Sequence, residues 1–314
     1  MRVPGQESSA FSLSLLCWNV HGKPYAWSNE ERLSNVAGVI VSEHPQLVVL
    51  QEVWKRADAH HLERALESQY ELVSPHQGDD RLSKSGLLSF VRRDAPLRVD
   101  GSSFHAFADE APAWRIWQGD GLAEKGIHRI ELSRGDVSVT LLNTHLQAEY
   151  GELRYTDVRS NQLEQLQSVG HGMQRSTLVL AAGDLNTRPD ESLYEFVTDF
   201  WVDLTEESRR RCDCGTVLVD DSGGEEWLDY ILTRRAQNWT VTMRRFQRVV
   251  NDKLDDPYSD HHGLLAELDI RPTVTAHAAL MALAVARATL GRQWTRREWL
   301  LGISQPLTKC HTRG

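Results

Sequence analysis

The sequence predicts a layered α/β or α+β domain, and three observations lead there. Apolar runs of about five residues, the usual length of a buried strand, recur along the chain. Several are separated by segments with helical periodicity. The alternation is loose, with extra strand pairs in the middle, which argues against a strict βαβ repeat.

Taken in order, the first run is Leu13 to Trp18, where alternating serines give the period of a strand. Glu30 to Glu43 follows, with Leu33, Val36, Ala37 and Ile40 on one helical face. Leu47 to Leu50, Gly86 to Val91 and Val137 to Leu142 read as buried strands. Tyr155 to Val169 reads as a helix that aligns Val158, Gln162, Leu163 and Leu166. Three further strands are expected at Thr177 to Ala182, Trp227 to Leu232 and Gly263 to Leu268.

Composition shifts after Pro272. Thr273 to Leu290 is rich in Ala, Val and Leu, and the chain then turns basic at Arg292, Arg296 and Arg297. A membrane span needs roughly twenty apolar residues, and His277 and Arg287 interrupt this stretch. It reads as a C-terminal helix packed on the domain or a partner; the alternative is an interfacial helix with Trp294 and Trp299 at its margin. The expected organisation is a flexible N-terminus (1–10), a catalytic domain (11–272) and a helical tail (273–314).

Hydrophobic residues make up 40% and charged residues 25% of the 314, which excludes disorder, collagen and coiled coil for the whole chain. Lys plus Arg total 35 against 44 Asp plus Glu, a net charge of −9. A broadly basic nucleic-acid-binding surface is therefore excluded, and a local basic groove is not. Cys17, Cys212, Cys214 and Cys310 are too few and scattered to staple the fold, which fits a reducing compartment. Cys212 and Cys214 lack nearby ligands to complete a zinc site. Phe11 to Trp18 lacks the basic leader and longer apolar core of a signal peptide, so the expected location is cytoplasmic, with peripheral membrane contact through the tail.

Polar residues of functional type end the apolar runs. LLCWN ends on Asn19, LVVLQE on Glu52, VTLLNTH on His145, and LVLAAGDLN on Asp184 and Asn186; WLD carries Asp229, and YSDHH introduces the last strand with Asp260 and His261. Singly, each has an ordinary reading as a turn residue, a solvated carboxylate or a structural histidine. Jointly the six segments deliver these groups to the rim of a sheet, where sites in layered α/β folds lie. Their hard oxygens suit Mg2+, whereas zinc would favour more His and Cys. The implied chemistry is attack of water on a phosphorus ester, with one histidine accepting a proton and another group stabilising the leaving oxygen. Asp229 is placed to hold a histidine in one tautomer.

From about residue 11 to 270 the chain resembles the endonuclease/exonuclease/phosphatase superfamily, the DNase I-like fold. The motifs stand in its order: CWNVHG, QEVW, NTHLQAEY, GDLN, LDY and SDHHGLLAEL. The resemblance implies a four-layer α/β/β/α sandwich of two mixed sheets and Mg2+-dependent phosphoester hydrolysis, with Mn2+ as a substitute. Within the superfamily it looks like the neutral sphingomyelinase branch, through Asn19 followed by Gly22, Pro24 and Tyr25, through Lys125-Gly126, and through Thr144 to Tyr150. Abasic-site endonucleases usually have Asp where His21 stands and Tyr where His145 stands. Membrane-bound members of the branch carry transmembrane segments after the catalytic domain; here only the short tail follows, and no transmembrane span is expected.

Carried across by position, the resemblance implies Glu52 as principal Mg2+ ligand, Asn19 close to the same metal and Asp260 assisting. Asp184 and Asn186 would orient phosphate and water, and His261, supported by Asp229, would be the general base. His145 would stabilise the leaving oxygen or act as acid, and the two histidines can exchange roles. Lys125 would contact phosphate, with a solvated loop lysine as its other reading, and His262 is read as structural. Ten tryptophans are many for this length; most read as ordinary core packing, and some of Trp27, Trp54, Trp114 and Trp117, which fall near loops, as lining of a headgroup pocket or a membrane surface. The expected substrate is a phospholipid headgroup, sphingomyelin or a relative, cleaved as by a phospholipase C. Nucleic acid is the alternative, with Arg209 to Arg211 as its local basic patch.

Overall fold

The computed structural model describes residues 10–21, 29–73, 85–109, 124–149, 154–212, 214–218, 224–249 and 258–273. In chain order its elements are β1 (Phe11–Asn19), α1 (Asn29–Glu43), β2 (Leu47–Gln51), α2 (Arg56–Leu66), β3 (Tyr70–Val73), β4 (Leu88–Arg92), β5 (Arg98–Ala106), β6 (Gly126–Arg134) and β7 (Val137–His145). They continue with α3 (Thr156–His171), β8 (Leu178–Asp184), α4 (Ser192–Phe200), β9 (Trp201–Asp203), α5 (Glu206–Cys212), β10 (Val217–Leu218), β11 (Glu225–Glu226), β12 (Asp229–Arg234), β13 (Trp239–Val249) and β14 (Gly263–Pro272).

Two six-stranded mixed sheets form the centre. One runs β13-β14-β1-β2-β4-β3 and the other β5-β6-β7-β8-β12-β9. In each, a parallel pair, β1 with β2 and β7 with β8, sits among antiparallel neighbours. The period of two along each strand sorts the apolar residues between two environments. Leu13, Leu15, Leu47 and Val49 of the first sheet meet Val139, Leu141, Leu178, Leu180 and Ile231 of the second. Their alternates, Leu16, Val48 and Leu50, face outward onto Leu33, Val36 and Ile40 of α1 and Leu62 and Leu66 of α2. Leu142, Val179 and Ala181 face outward onto Leu163 and Leu166 of α3 and Leu193 and Val197 of α4. The order is helices, sheet, sheet, helices. A fully buried leucine in any of these layers stabilises by about 1.5–3 kcal/mol.

Local chemistry sets the ends of the elements. Glu30 and Glu31 stand in the first turn of α1, where carboxylates favour the helix dipole. The helix stops at His44, whose φ of 53° is left-handed and whose successor is Pro45, which cannot continue it. At Gly183 a Cβ would lie 1.9 Å from the Thr144 carbonyl oxygen on the neighbouring strand, and the φ of 155° disfavours a side chain. Gly183→Ala must therefore push β7 from β8, and we expect a loss of about 3 kcal/mol of stability, read from the midpoint of urea unfolding. An unchanged midpoint would mean that the strands are not so close.

Cys212 and Cys214, counted among cysteines too few and scattered to staple the fold, form a disulfide with a Cα–Cα distance of 5.2 Å. The reason is local: two positions apart in sequence, the two Cα atoms lie within disulfide reach. The chain divides into units 1–272 and 273–314. The expected tail helix lies outside the described residues, as do Trp27, Trp114 and Trp117. No helix among the described residues is long and apolar enough to cross a membrane.

Candidate active site

The inward phase that builds the core between the sheets ends at one rim in polar residues. On β1 it runs Leu13, Leu15, Cys17 and then Asn19; on β7 Val139, Leu141, Asn143 and then His145; on β8 Leu178, Leu180, Ala182 and then Asp184. On β12, antiparallel to β8, Ile231 is preceded by Asp229. Strand register sets these groups side by side, with Asp184 flanked by His145 on one neighbour and Asp229 on the other. Asn19 is level with Gln51, so Glu52 emerges beside it.

Asn19 joins the two halves. Its Nδ2 donates to Glu52 Oε1 at 3.1 Å and to Asp184 Oδ2 at 3.0 Å, and its Oδ1 accepts from the His21 backbone N–H at 3.0 Å. Expected as a neighbour of the metal, this carboxamide holds two carboxylates together and turns its oxygen toward the backbone. Asp184 Oδ2 lies 3.6 Å from His145 Nε2 and 3.8 Å from His261 Nε2. His261 Nδ1 lies 2.8 Å from Asp229 Oδ2, which fixes the ring and presents Nε2 to the cleft. The Ser-Asp-His segment is pinned to β1, because Ser259 Oγ donates to the Asn19 carbonyl at 2.7 Å and Trp18 Nε1 to the His261 carbonyl at 3.0 Å. Asn186 is anchored by its N–H to Asp184 Oδ1 at 2.9 Å and by its Nδ2 to the Leu146 carbonyl at 3.1 Å.

Three residues here have left-handed backbones: His21 (φ 44°), Glu52 (φ 61°) and Asn186 (φ 46°). Asn tolerates this conformation, whereas for Glu and His it costs about 1 kcal/mol or more. It is imposed by hydrogen bonds on either side, including Val20 N–H to the Gln51 carbonyl at 3.1 Å and Val53 N–H to the Gly86 carbonyl at 2.9 Å. Strain of this kind is found where a side chain must point in a particular direction.

Burial and charge split the two imidazoles. His145 is held well below the usual histidine range by burial, with the charges of Lys125 and His261 adding to it. Burial would also lower His261, but Asp229, Asp184 and Asp260 outweigh it and push it up to about 10. Burial and the Asp229 charge push Asp184 up to about 7. Asp260, against burial, stays below the usual carboxylate value because His21 Nδ1 stands 2.8 Å from its Oδ2. One consequence is testable. A depressed folded pKa at His145 means that below pH 6.5 the unfolded chain binds a proton that the folded chain refuses. Stability contributed above that pH is lost as pH falls, by up to about 1.4 kcal/mol per pH unit. Urea unfolding at pH 7.5 and 5.5 should show a larger fall for wild type than for His145→Gln; equal falls would contradict a buried neutral ring.

Two groups of side chains suit a cation. Asp184, Asp229 and His261 have ligand atoms within 4.8 Å of one another and are buried. Glu52 and Asp260 are the more open pair, 22% and 36% exposed, and their oxygens flank His21 Nδ1 at 3.9 and 2.8 Å. Both offer hard oxygen. His21 was missed as a member of the site. Its signal was its place two residues beyond Asn19, visible only as a departure from the nuclease pattern.

Other residues singled out in the sequence lie around this centre or apart from it. Lys125, expected to contact phosphate or else to be a solvated lysine, is 1% exposed, and its Nζ donates to the Leu146 carbonyl at 2.8 Å, the oxygen that Asn186 also uses; it is buried beneath the site rather than open to a phosphate. Its charge lies behind His145. Trp54 is half-buried, lies over Gly86 and has its ring centroid 6.1 Å from that of His145. His262 Nε2 binds Glu225 Oε1 at 3.1 Å, a structural contact as expected. Glu149 is tied to Arg159 Nη2 at 2.8 Å, which anchors the segment after β7 on α3. The expected basic patch is neutralised, for Arg210 pairs with Glu206 at 2.6 Å, Arg211 with Glu207, and Arg209 with Asp203 at 3.6 Å.

A four-layer sandwich with carboxylates, a carboxamide and imidazoles converging at one rim of its paired sheets defines a DNase I-like protein. The chain belongs to the Endonuclease/Exonuclease/phosphatase family, whose profile matches residues 16–261. Among its relatives are sphingomyelin phosphodiesterase 2 of Rattus norvegicus, 23% identical over 95% of this chain and 78% of that protein. Another is the inositol phosphosphingolipids phospholipase C of Schizosaccharomyces pombe, 25% identical over 92% of this chain and 76% of that one. The chain spans 61% to 78% of the length of the Drosophila melanogaster, rat and human relatives it matches. Sphingomyelinase C from Streptomyces griseocarneus has the same fold (TM-score 0.59, 19% identity, 82% of this chain and 99% of that one). So does D. rerio TDP2 with a single strand DNA product (TM-score 0.64, 18% identity, 82% and 98%).

Proposed function

We propose that this chain is a divalent-metal-dependent phosphodiesterase, with Mg2+ as the working ion, that releases the phosphorylated headgroup of sphingomyelin or a related sphingolipid. The observation that carries the chemistry is the His261–Asp229 pair at 2.8 Å, aimed with Asp184 at the cleft beside Glu52. The lipid class is supported by the sphingolipid-cleaving names of the relatives.

A divalent cation held by Glu52 and Asp260 would supply charge to offset that of the phosphoryl oxygens. The other work belongs to side chains. His261 Nε2 accepts a proton from water once the ring is neutral, and Asp229 keeps the remaining ring proton on Nδ1. Asp184, fixed by Asn19 and the Asn186 N–H, orients that water, and Asn186 steadies the phosphate edge. His145, kept neutral by burial and Lys125, donates a hydrogen bond to the leaving oxygen, which takes its proton from solvent water as the alcohol departs, and the proton held by His261 returns to solvent. The nucleic-acid reading loses its best local support, since the Arg209 to Arg211 run is paired with acids.

The test is release of phosphocholine from sphingomyelin vesicles by purified protein with Mg2+, set against EDTA and against plasmid and single-stranded DNA. Lipid cleavage that EDTA abolishes is expected. Cleavage of DNA without lipid cleavage would overturn the substrate class, and equal rates in EDTA would overturn the metal.

A further inference from the structure

Behind the site a row of polar side chains crosses the apolar core between the sheets. Gln51 on β2 and Asn143 on β7 continue the inward phase of their strands, and both are fully buried. Gln51 Nε2 donates to Asn143 Oδ1 at 2.8 Å. Asn143 Nδ2 faces the carbonyls of Leu50 and Leu88 at 3.2 and 3.0 Å and Ser89 Oγ at 3.3 Å, all on the opposite sheet. Ser89 Oγ lies 3.0 Å from His128 Nδ1 on β6, and His128 Nε2 lies 2.9 Å from Ser102 Oγ on β5. The row passes back and forth between the two sheets.

Apolar side chains of similar size would fill this space without the desolvation that buried amides and an imidazole require. What the polar choice adds is direction. Apolar contact holds one sheet on the other but resists sliding weakly, whereas a buried hydrogen-bonded row permits one alignment. Alignment matters here because the site is divided. Asn19 ends β1, Glu52 follows β2, and Asp260 and His261 lead into β14, all of the first sheet, whereas His145, Asp184 and Asp229 belong to the second. Gln51 immediately precedes Glu52, and Asn143 stands two residues before His145.

We infer that the Gln51–Asn143 hydrogen bond, backed by Ser89 and His128, is a positioning clamp that sets Glu52 against His145, Asp184 and Asp229 on the other sheet. It rests on the reading of Glu52 as a metal ligand. These side chains touch neither substrate nor ion and act through the two strands that carry the reacting groups.

The experiment measures Mg2+ affinity by calorimetry, the melting temperature in EDTA, and kcat and KM on the soluble diester bis(p-nitrophenyl) phosphate. The first variant is Gln51→Met/Asn143→Leu, which removes both partners and leaves neither amide unpaired. The second comparison is Gln51→Asn, too short to reach, against the exchanged pair Gln51→Asn/Asn143→Gln, which restores the combined length. The expected result is an Mg2+ affinity and a kcat each about tenfold lower, with KM within about twofold, in the first variant and in Gln51→Asn. Recovery to within about threefold of wild type is expected for the exchanged pair. A folded Gln51→Met/Asn143→Leu protein with wild-type Mg2+ affinity and kcat would overturn the clamp. So would an exchanged pair no better than Gln51→Asn, which decides the matter if the apolar variant does not fold. Failure of the lipid reading would appear separately, as a wild type that hydrolyses the aryl diester but not sphingomyelin.

Discussion

His261→Gln lowers turnover by about a thousandfold, and Asp229→Asn by nearly as much. The two act as one unit: Asp229 Oδ2 sits 2.8 Å from His261 Nδ1, and a carboxylate there keeps the proton on Nδ1 and the lone pair on Nε2. An asparagine at 229 can donate to Nδ1 instead and moves the ring proton to Nε2, where it blocks proton uptake from water. The double variant is therefore expected to be no slower than the worse single one, because the second substitution removes a function already lost. The pH profile carries the same signature. His261 is pushed up to about 10 by Asp229, Asp184 and Asp260, so its base form grows, and the rate rises, with increasing pH. Removing the Asp229 charge lowers the histidine pKa, and the rising limb of Asp229→Asn moves to lower pH. Steady-state rates of both single variants and the double variant from pH 6 to 10 check this; additive losses, or an unmoved limb, would dissolve the pair.

Glu52→Gly abolishes measurable Mg2+ binding while raising the melting temperature in EDTA. Two physical effects set that opposite sign. The Glu52 backbone is left-handed at φ 61°, a conformation glycine adopts without strain. Its carboxylate also shares the Asn19 amide with Asp184 and the His21 ring with Asp260, so three acids gather at one point. Like charges gathered without a cation destabilise the fold, and a bound cation reverses this by mass action. Wild type should therefore gain several degrees of melting temperature from 10 mM Mg2+, an amount of order 1–3 kcal/mol at a hundredfold excess over the dissociation constant or less. The variant should gain none. A variant less stable than wild type in EDTA, or one with intact calorimetric Mg2+ binding, would remove Glu52 from the cation site.

The legible parts of this protein are those where side-chain chemistry and strand period agree. Asn19, His145 and Asp184 close strands whose inward residues are aliphatic, so the change from apolar to polar marked both the rim and the site. The helices at 29–43 and 156–171 were readable from Leu33, Val36 and Ile40 and from Leu163 and Leu166. What escaped lies at edges. β5 reads RVDGSSFHA and β13 reads WTVTMRRFQRV, strands with an exposed flank whose polar residues hide the period. Helix α2 buries only Asp58, Ala59, Leu62 and Leu66 among charged neighbours. Lys125 and His21 carried no periodic signal at all; their roles come from loop paths and the register of distant strands. The Gln51–Asn143 contact was equally hidden, since nothing in one strand states which residue of the other sheet it will face.

The proposed cation site at Glu52 and Asp260 is distinct from the proposed proton-handling group at Asp184, Asp229 and His261, although the second group is compact enough to bind an ion itself. Anomalous diffraction from crystals soaked in Mn2+ distinguishes the two directly. The predicted result is a peak within about 2.5 Å of a Glu52 carboxylate oxygen, with His261 Nδ1 still on Asp229. A peak enclosed by Asp184, Asp229 and His261, with none beside Glu52, would contradict it.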